Sequence, residues 1–204
     1  MPPQFYRFIG GHETMTRKRM AALLLWVVAM APLTGCMPKM TIEDLKAMKP
    51  QRPAELDRLD AFVGTWESTG ECTMAGLDET VKARMTETYR WDGDGWYLVS
   101  SGMFSMDEMG DMKGTGVWMY DSKAKKYRMS WVDSMGGMAV GESRYDEKKD
   151  TWTMKGSGYG PMGKTTSKAW FKFVDPDTME WEWSEYGMGG LMKIMSMKGT
   201  SRRK

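Results

Sequence analysis

The sequence predicts a mainly β protein, an antiparallel up-and-down barrel of about nine or ten strands preceded by short helices. Three observations predict it. After Gly64, β-branched and aromatic residues alternate with polar ones. Clusters of Gly or Asp interrupt that alternation about every 8–12 residues. No apolar helix long enough to cover a sheet face follows Gly64. Links as short as Asp175-Pro176-Asp177-Thr178 force neighbouring strands to run antiparallel. Closing the sheet on itself removes its exposed edges. A β-sandwich with crossover links fits the same alternation.

The chain begins with what reads as an address. Arg17, Lys18 and Arg19 form a positive region, and an apolar run follows over residues 20–31. Leu33-Thr34-Gly35-Cys36 then resembles the lipobox cut by lipoprotein signal peptidase. That resemblance implies that Cys36 becomes the diacylated first residue of the mature chain. A transmembrane helix needs about 20 apolar residues, so the run is short for a span. Residues 1–14 read as an upstream extension, with Met15 as the start, and 15–35 as the signal peptide. Met37 after the cysteine, where some lipoproteins carry an inner-membrane retention Asp, favours the outer membrane facing the periplasm.

Residues 1–35 hold four basic residues and one acid, so without them the formal charge falls from +2 to −1. A near-neutral domain is not a phosphate-neutralising nucleic-acid binder. The one histidine, His12, leaves with the signal. A Ser-His-Asp triad, a His-ligated haem and a His-rich zinc site are excluded with it.

Residues 36–53 read as a tether, in which Thr41-Ile42-Glu43-Asp44 caps a short helix. A second helix is expected over Ala54–Phe62, where Leu56, Leu59 and Phe62 recur at helical spacing and could plug one end of a barrel. The expected strands are 65–73, 80–91, 96–104, 116–121, 127–133, 138–145, 151–156, 165–174, 179–186 and 191–199. In the first, Trp66, Ser68, Gly70 and Cys72 share a face; in the second, Val81, Ala83, Met85, Glu87, Tyr89 and Trp91 do. Asp92-Gly93-Asp94-Gly95 is a hairpin turn rather than a calcium loop, because it lacks the later ligands and the closing Glu.

Leu59-Asp60-Ala61-Phe62-Val63-Gly64-Thr65-Trp66 resembles the start of a lipocalin-like barrel, where a helical turn leads into Gly-x-Trp. Tyr120-Asp121-Ser122-Lys123, Tyr127, Trp131-Val132-Asp133-Ser134-Met135-Gly136, Gly141 and Tyr145-Asp146 resemble domain-of-unknown-function family 1579, uncharacterised bacterial secreted and lipoprotein domains. The resemblance implies a lipocalin-like barrel over 54–204 and no activity. It also implies a late arginine, Arg202 or Arg203, across Trp66. Haem-binding relatives hold iron through a histidine, which this sequence lacks after the signal.

Three residue classes carry candidate chemistry. Nine Trp remain after the signal. A small apolar molecule inside the barrel would meet Trp66, Tyr89, Trp118, Trp131 and Trp183, with Asp133 as a polar anchor; the same residues equally serve to fill a barrel. Met103, Met106, Met109 and Met112 recur at every third residue, a soft-ligand pattern for Cu(I), although Met replaces Leu and Ile throughout the chain. Glu87, Asp133, Glu142, Glu182 and Glu185 lie near aromatics, and a carboxylate enclosed there would have a raised pKa. The leading expectation is a lipid-anchored, non-catalytic binder of a small apolar ligand, with no cofactor. A structural or interaction lipoprotein with a filled barrel, and a hydrolase or isomerase using a buried carboxylate, are the alternatives. Cys72 has no partner once Cys36 is acylated and reads as a small buried residue.

Overall fold

A computed structural model describes residues 39–106, 110–161 and 163–204. The lipobox, Cys36 and Met109 lie outside the described residues. The chain divides into two units at Pro50 and Gln51. The described part of the first holds one helix, α1 (Ile42–Ala47). Its start is the expected capping box: the Thr41 hydroxyl accepts from the Asp44 N–H at 3.1 Å, and the Asp44 carboxylate accepts from the Thr41 N–H at 2.8 Å.

The second unit, Gln51–Lys204, is a closed antiparallel barrel. Its strands are β1 (Gly64–Met74), β2 (Val81–Asp92), β3 (Tyr97–Met106), β4 (Gly110–Asp121) and β5 (Lys126–Asp133). They continue as β6 (Met138–Asp146), β7 (Thr151–Gly160), β8 (Gly163–Asp175), β9 (Thr178–Gly187) and β10 (Met192–Arg203). Each strand pairs with the next in sequence, and β10 closes on β1 with Ser68 opposite Ser201. No strand in this ring crosses over, so the sandwich alternative falls.

Three strands extend well beyond an end the sequence suggests, and the others differ by a residue or two at either end. β4 begins at Gly110 instead of 116, β7 continues to Gly160 instead of 156, and β10 reaches Arg203 instead of 199. In each case glycine reads locally as a breaker. In β4 and β10 a glycine faces a large neighbour instead. A Cβ on Gly114 would overlap the Trp131 ring, and one on Gly199 would lie 2.7 Å from the Trp181 ring. The tryptophan on the next strand occupies the space that the missing side chain leaves.

The segment before β1, Ala54–Phe62, is a 3-10 helix. A three-residue turn puts Leu56, Leu59 and Phe62 in one line, and all three are buried. Its outer side chains clip to the rim. Trp91 Nε1 donates to Asp60 at 2.7 Å, Tyr120 donates to the Glu55 carboxylate at 3.2 Å and Tyr127 to its carbonyl at 2.7 Å. Arg58 lies over the Tyr145 ring and pairs with Glu147. One end of the barrel is thereby plugged.

β1 opens beside this plug. Trp66 is 1% exposed and donates its indole N–H to the Phe62 carbonyl at 2.7 Å. The Arg203 guanidinium lies 4.4 Å from the Trp66 ring centroid. It donates to the carbonyls of Val63, Ala61 and Pro176 and to the Asp177 carboxylate. Of the two candidate arginines, Arg203 takes the late position. Gly64 has φ +122°, and a Cβ there would lie 2.9 Å from Arg203 Nη1, so a side chain is excluded twice over.

Candidate functional site

The barrel interior has two unlike halves. Next to the plug, Phe62 packs against Tyr89, Trp118, Trp152 and Phe173 with ring centroids 5.1–6.0 Å apart. Trp66 and Phe173 meet edge-on at 5.8 Å. This half is filled. Towards the other end the inward positions carry Met85, Phe104, Met129, Trp131, Trp183 and Met197, all half-buried.

A polar cluster lies at the boundary. Glu87 and Tyr89, on the inner face of β2, are 8% and 9% exposed. The Tyr89 hydroxyl donates to Glu87 Oε2 at 2.6 Å. Burial pushes the Glu87 carboxyl above the usual carboxylate range, and the hydroxyls of Tyr89 and Ser100 pull it partly back. Burial, and then the neighbouring Glu87, push the Tyr89 phenol well above its ordinary value. Ser100, facing inward from β3, is 1% exposed, and its buried Oγ makes no well-formed hydrogen bond. The floor of the open half therefore offers the Ser100 hydroxyl, close to Glu87 but without a well-formed hydrogen bond, beside a carboxyl biased towards its neutral form.

The six residues expected to meet a ligand lie at different heights. Trp66 and Trp118 belong to the plugged half, and Trp118 stacks on Phe62. Tyr89 spans the boundary, with its ring on Phe62 and its hydroxyl on Glu87. Trp131 and Trp183 face the open half. Asp133 is occupied by its own hairpin, its Oδ1 accepting from the N–H groups of Met135 and Gly137, each at 2.9 Å. The buried carboxyl on the inner wall is Glu87. Its place in the inward set of β2 could be read from the sequence; its contact with Ser100 could not.

Of the other carboxylates, Glu142 and Glu182 lie on the outward face, whereas Glu185 shares the inward parity of β9, paired with Ser167 and Met195. Glu142 pairs with Lys126 at 2.6 Å and Arg128 at 3.3 Å, and these cations hold its pKa down. Glu182 accepts from Trp170 Nε1 at 3.2 Å, and Glu185 from the Thr165 hydroxyl at 2.6 Å. No group of three or more Asp, Glu, Cys or His suited to a metal occurs among the described residues. The methionine run is divided: a three-residue step along a strand alternates faces, so Met103 points outward, 43% exposed, while Met106 and Met112 keep the inward parity. Cys72 is fully buried, and burial raises its pKa. Two shallow depressions mark the outer wall, one along Thr88, Ser101 and Lys113 and the other along Glu71, Lys82 and Trp170; Glu87 lines neither.

The Tyr120-to-Gly137 run has a structural task throughout. Tyr120 and Tyr127 hold the plug, Asp121 accepts from the Ala124 N–H, Trp131 covers Gly114, and Asp133 shapes the β5–β6 turn. Ser134 exchanges hydrogen bonds with the Lys113 backbone. The family described as protein of unknown function (DUF1579) matches residues 51–203. The chain belongs to that family. No curated protein matches this DUF1579 chain. Among solved structures it is similar to Rv2717c from M. tuberculosis, with a TM-score of 0.58 and 12% identity over 76% of this chain and 99% of that one. Two further similar structures are a de novo designed fluorescence-activating β-barrel and EF1p2_mFAP2b bound to DFHBI. The first has a TM-score of 0.40 and 16% identity over 72% of this chain and 98% of that one. The second has a TM-score of 0.41 and 11% identity over 75% and 98%. The likeness to Rv2717c concerns the fold alone.

Proposed function

We propose that this DUF1579 chain is a lipid-anchored, non-catalytic binding protein for a small, mostly apolar molecule. The molecule lies in the open half of the barrel, between Trp131, Trp183 and Met129, with one polar end on the floor. There it meets the Ser100 hydroxyl and the Glu87 carboxyl that Tyr89 orients. The observation that carries this reading is the buried Ser100 Oγ beside Glu87, without a well-formed hydrogen bond, beneath a half-buried wall of Trp and Met. A ligand's carbonyl or hydroxyl oxygen would give this hydroxyl a better-aligned partner. The anchor is Cys36, acylated after cleavage of the signal, at the outer membrane facing the periplasm. The support for it is the basic, apolar and lipobox sequence at 17–36.

Native mass spectrometry of the protein purified from its own host tests the binding. A small molecule bound to the wild-type chain and depleted in Trp131→Ala and Ser100→Val is the expected result. A ligand-free mass, together with failure to enhance the fluorescence of N-phenylnaphthylamine, overturns it and leaves a filled structural barrel. The anchor is tested separately, since palmitate labelling is expected to vanish in Cys36→Ala.

A further inference from the structure

The two rims of the barrel differ in chemistry. At the plugged end the hairpin tips are charged or small: Gly93-Asp94-Gly95, Ser122 to Lys125, Glu147 to Asp150 and Pro176-Asp177. At the mouth, the links β5–β6, β7–β8 and β9–β10 follow one another round the rim. They expose Met135, Met138, Tyr159, Met188, Leu191 and Met192, with Leu191 at 89% and Met188 at 72%. Large apolar side chains so clustered and so bare mark an interaction surface rather than scattered surface residues.

The charge of this sector narrows the partner. Lys164 and Lys193 flank the exposed residues. Of the acids beside these three links, Asp133 at the end of β5 is turned back onto its own hairpin, and Glu185 near the end of β9 accepts from the Thr165 hydroxyl on the inner face. The acids Asp78, Glu79 and Asp111 belong to the other side of the mouth, at the β1–β2 and β3–β4 links. Flexible Met and Leu side chains at loop tips, a Tyr at their edge and lysines behind them suit an interface with apolar depth and anionic headgroups. A second copy packed mouth to mouth would set the same lysines against each other.

We propose that this sector of the mouth is a lipid-docking surface that beds its loop tips into an anionic bilayer. The mouth would then open against the membrane, which is where an apolar molecule partitions. The inference is independent of the ligand reading, because a filled barrel would dock in the same way.

The test uses the full chain carrying Leu191→Cys, labelled with an environment-sensitive NBD group; Cys72 is buried and Lys123→Cys at the plugged rim is the control. Vesicles of phosphatidylethanolamine and phosphatidylglycerol are prepared with and without doxyl-labelled lipid. The label at 191 is expected to shift to the blue and to be quenched severalfold more than the label at 123. Adding Lys164→Glu and Lys193→Glu is expected to remove most of that difference. Equal quenching at the two positions, or none at 191, overturns the proposal. A blue shift without vesicles, with doubled mass by light scattering, also overturns it and makes a second copy the occupant.

Discussion

In the plugged half of the barrel, four aromatic rings surround Phe62, and Arg203 covers Trp66 while binding three carbonyls from outside. In the open half, Trp131 and Trp183 remain half-buried, and the buried Ser100 hydroxyl makes no well-formed hydrogen bond. The same residue types thus serve two ends. Where a plug supplies three apolar side chains in line, tryptophan completes a core. Where no plug enters, tryptophan lines a wall. The difference is between stability and availability: the first half holds the ring of strands together, which lets the second stay incompletely filled.

The largest effect should come from the plug. Phe62→Ala removes a side chain that is 3% exposed and touches four rings. It is expected to destabilise the protein by about 3–5 kcal/mol in urea unfolding. Trp131→Ala, on the half-buried wall, should lose clearly less; equal losses would break the contrast between the halves. The next effect is at Arg203. Arg203→Lys keeps the charge but loses the planar fork over Trp66, for an expected loss of about 2 kcal/mol. A lysine variant with unchanged unfolding midpoint would show that the contact with Trp66 is ornamental.

The smallest effect, and the most informative about the open half, depends on pH. Glu87 has a raised pKa in the folded chain because burial disfavours its charged form. The folded state therefore holds this proton more tightly than the unfolded state. Its contribution is fully present below the unfolded glutamate range and is lost as pH rises through the raised folded value. Glu87→Gln removes that loss. The stability of the variant relative to wild type should increase as pH rises from the ordinary glutamate range through the raised folded value. A difference that stays flat with pH would place Glu87 in contact with solvent and remove the floor from the proposed site.

Much of this contrast was legible in the residues themselves. Alternation identified the inward sets of β1 and β2, including Glu87, and the three-residue repeat of Leu56, Leu59 and Phe62 marked the plug. The capping box at Thr41 and the buried state of Cys72 were equally local. The glycines of β4, β7 and β10 read as breakers in isolation, yet in β4 and β10 they become seats for a tryptophan once a neighbouring strand is present. The aromatic surroundings of Asp133 suggest an anchor, yet its oxygen serves a turn closed by Gly137, four residues on. The methionine step looked like one ligand set and was split by the pleat.

By itself the sequence determined which segments extend, where they turn and which residues share a face, because those follow from periods of two and three along the chain. Tertiary structure alone decided which halves are full and which are bare. Height along a barrel depends on the register of every pair round the ring. The closing register sets Ser68 against Ser201, and no local pattern spans that separation. Ser100 came to face Glu87, and the bare tips came to share one sector of the mouth, only when that ring closed.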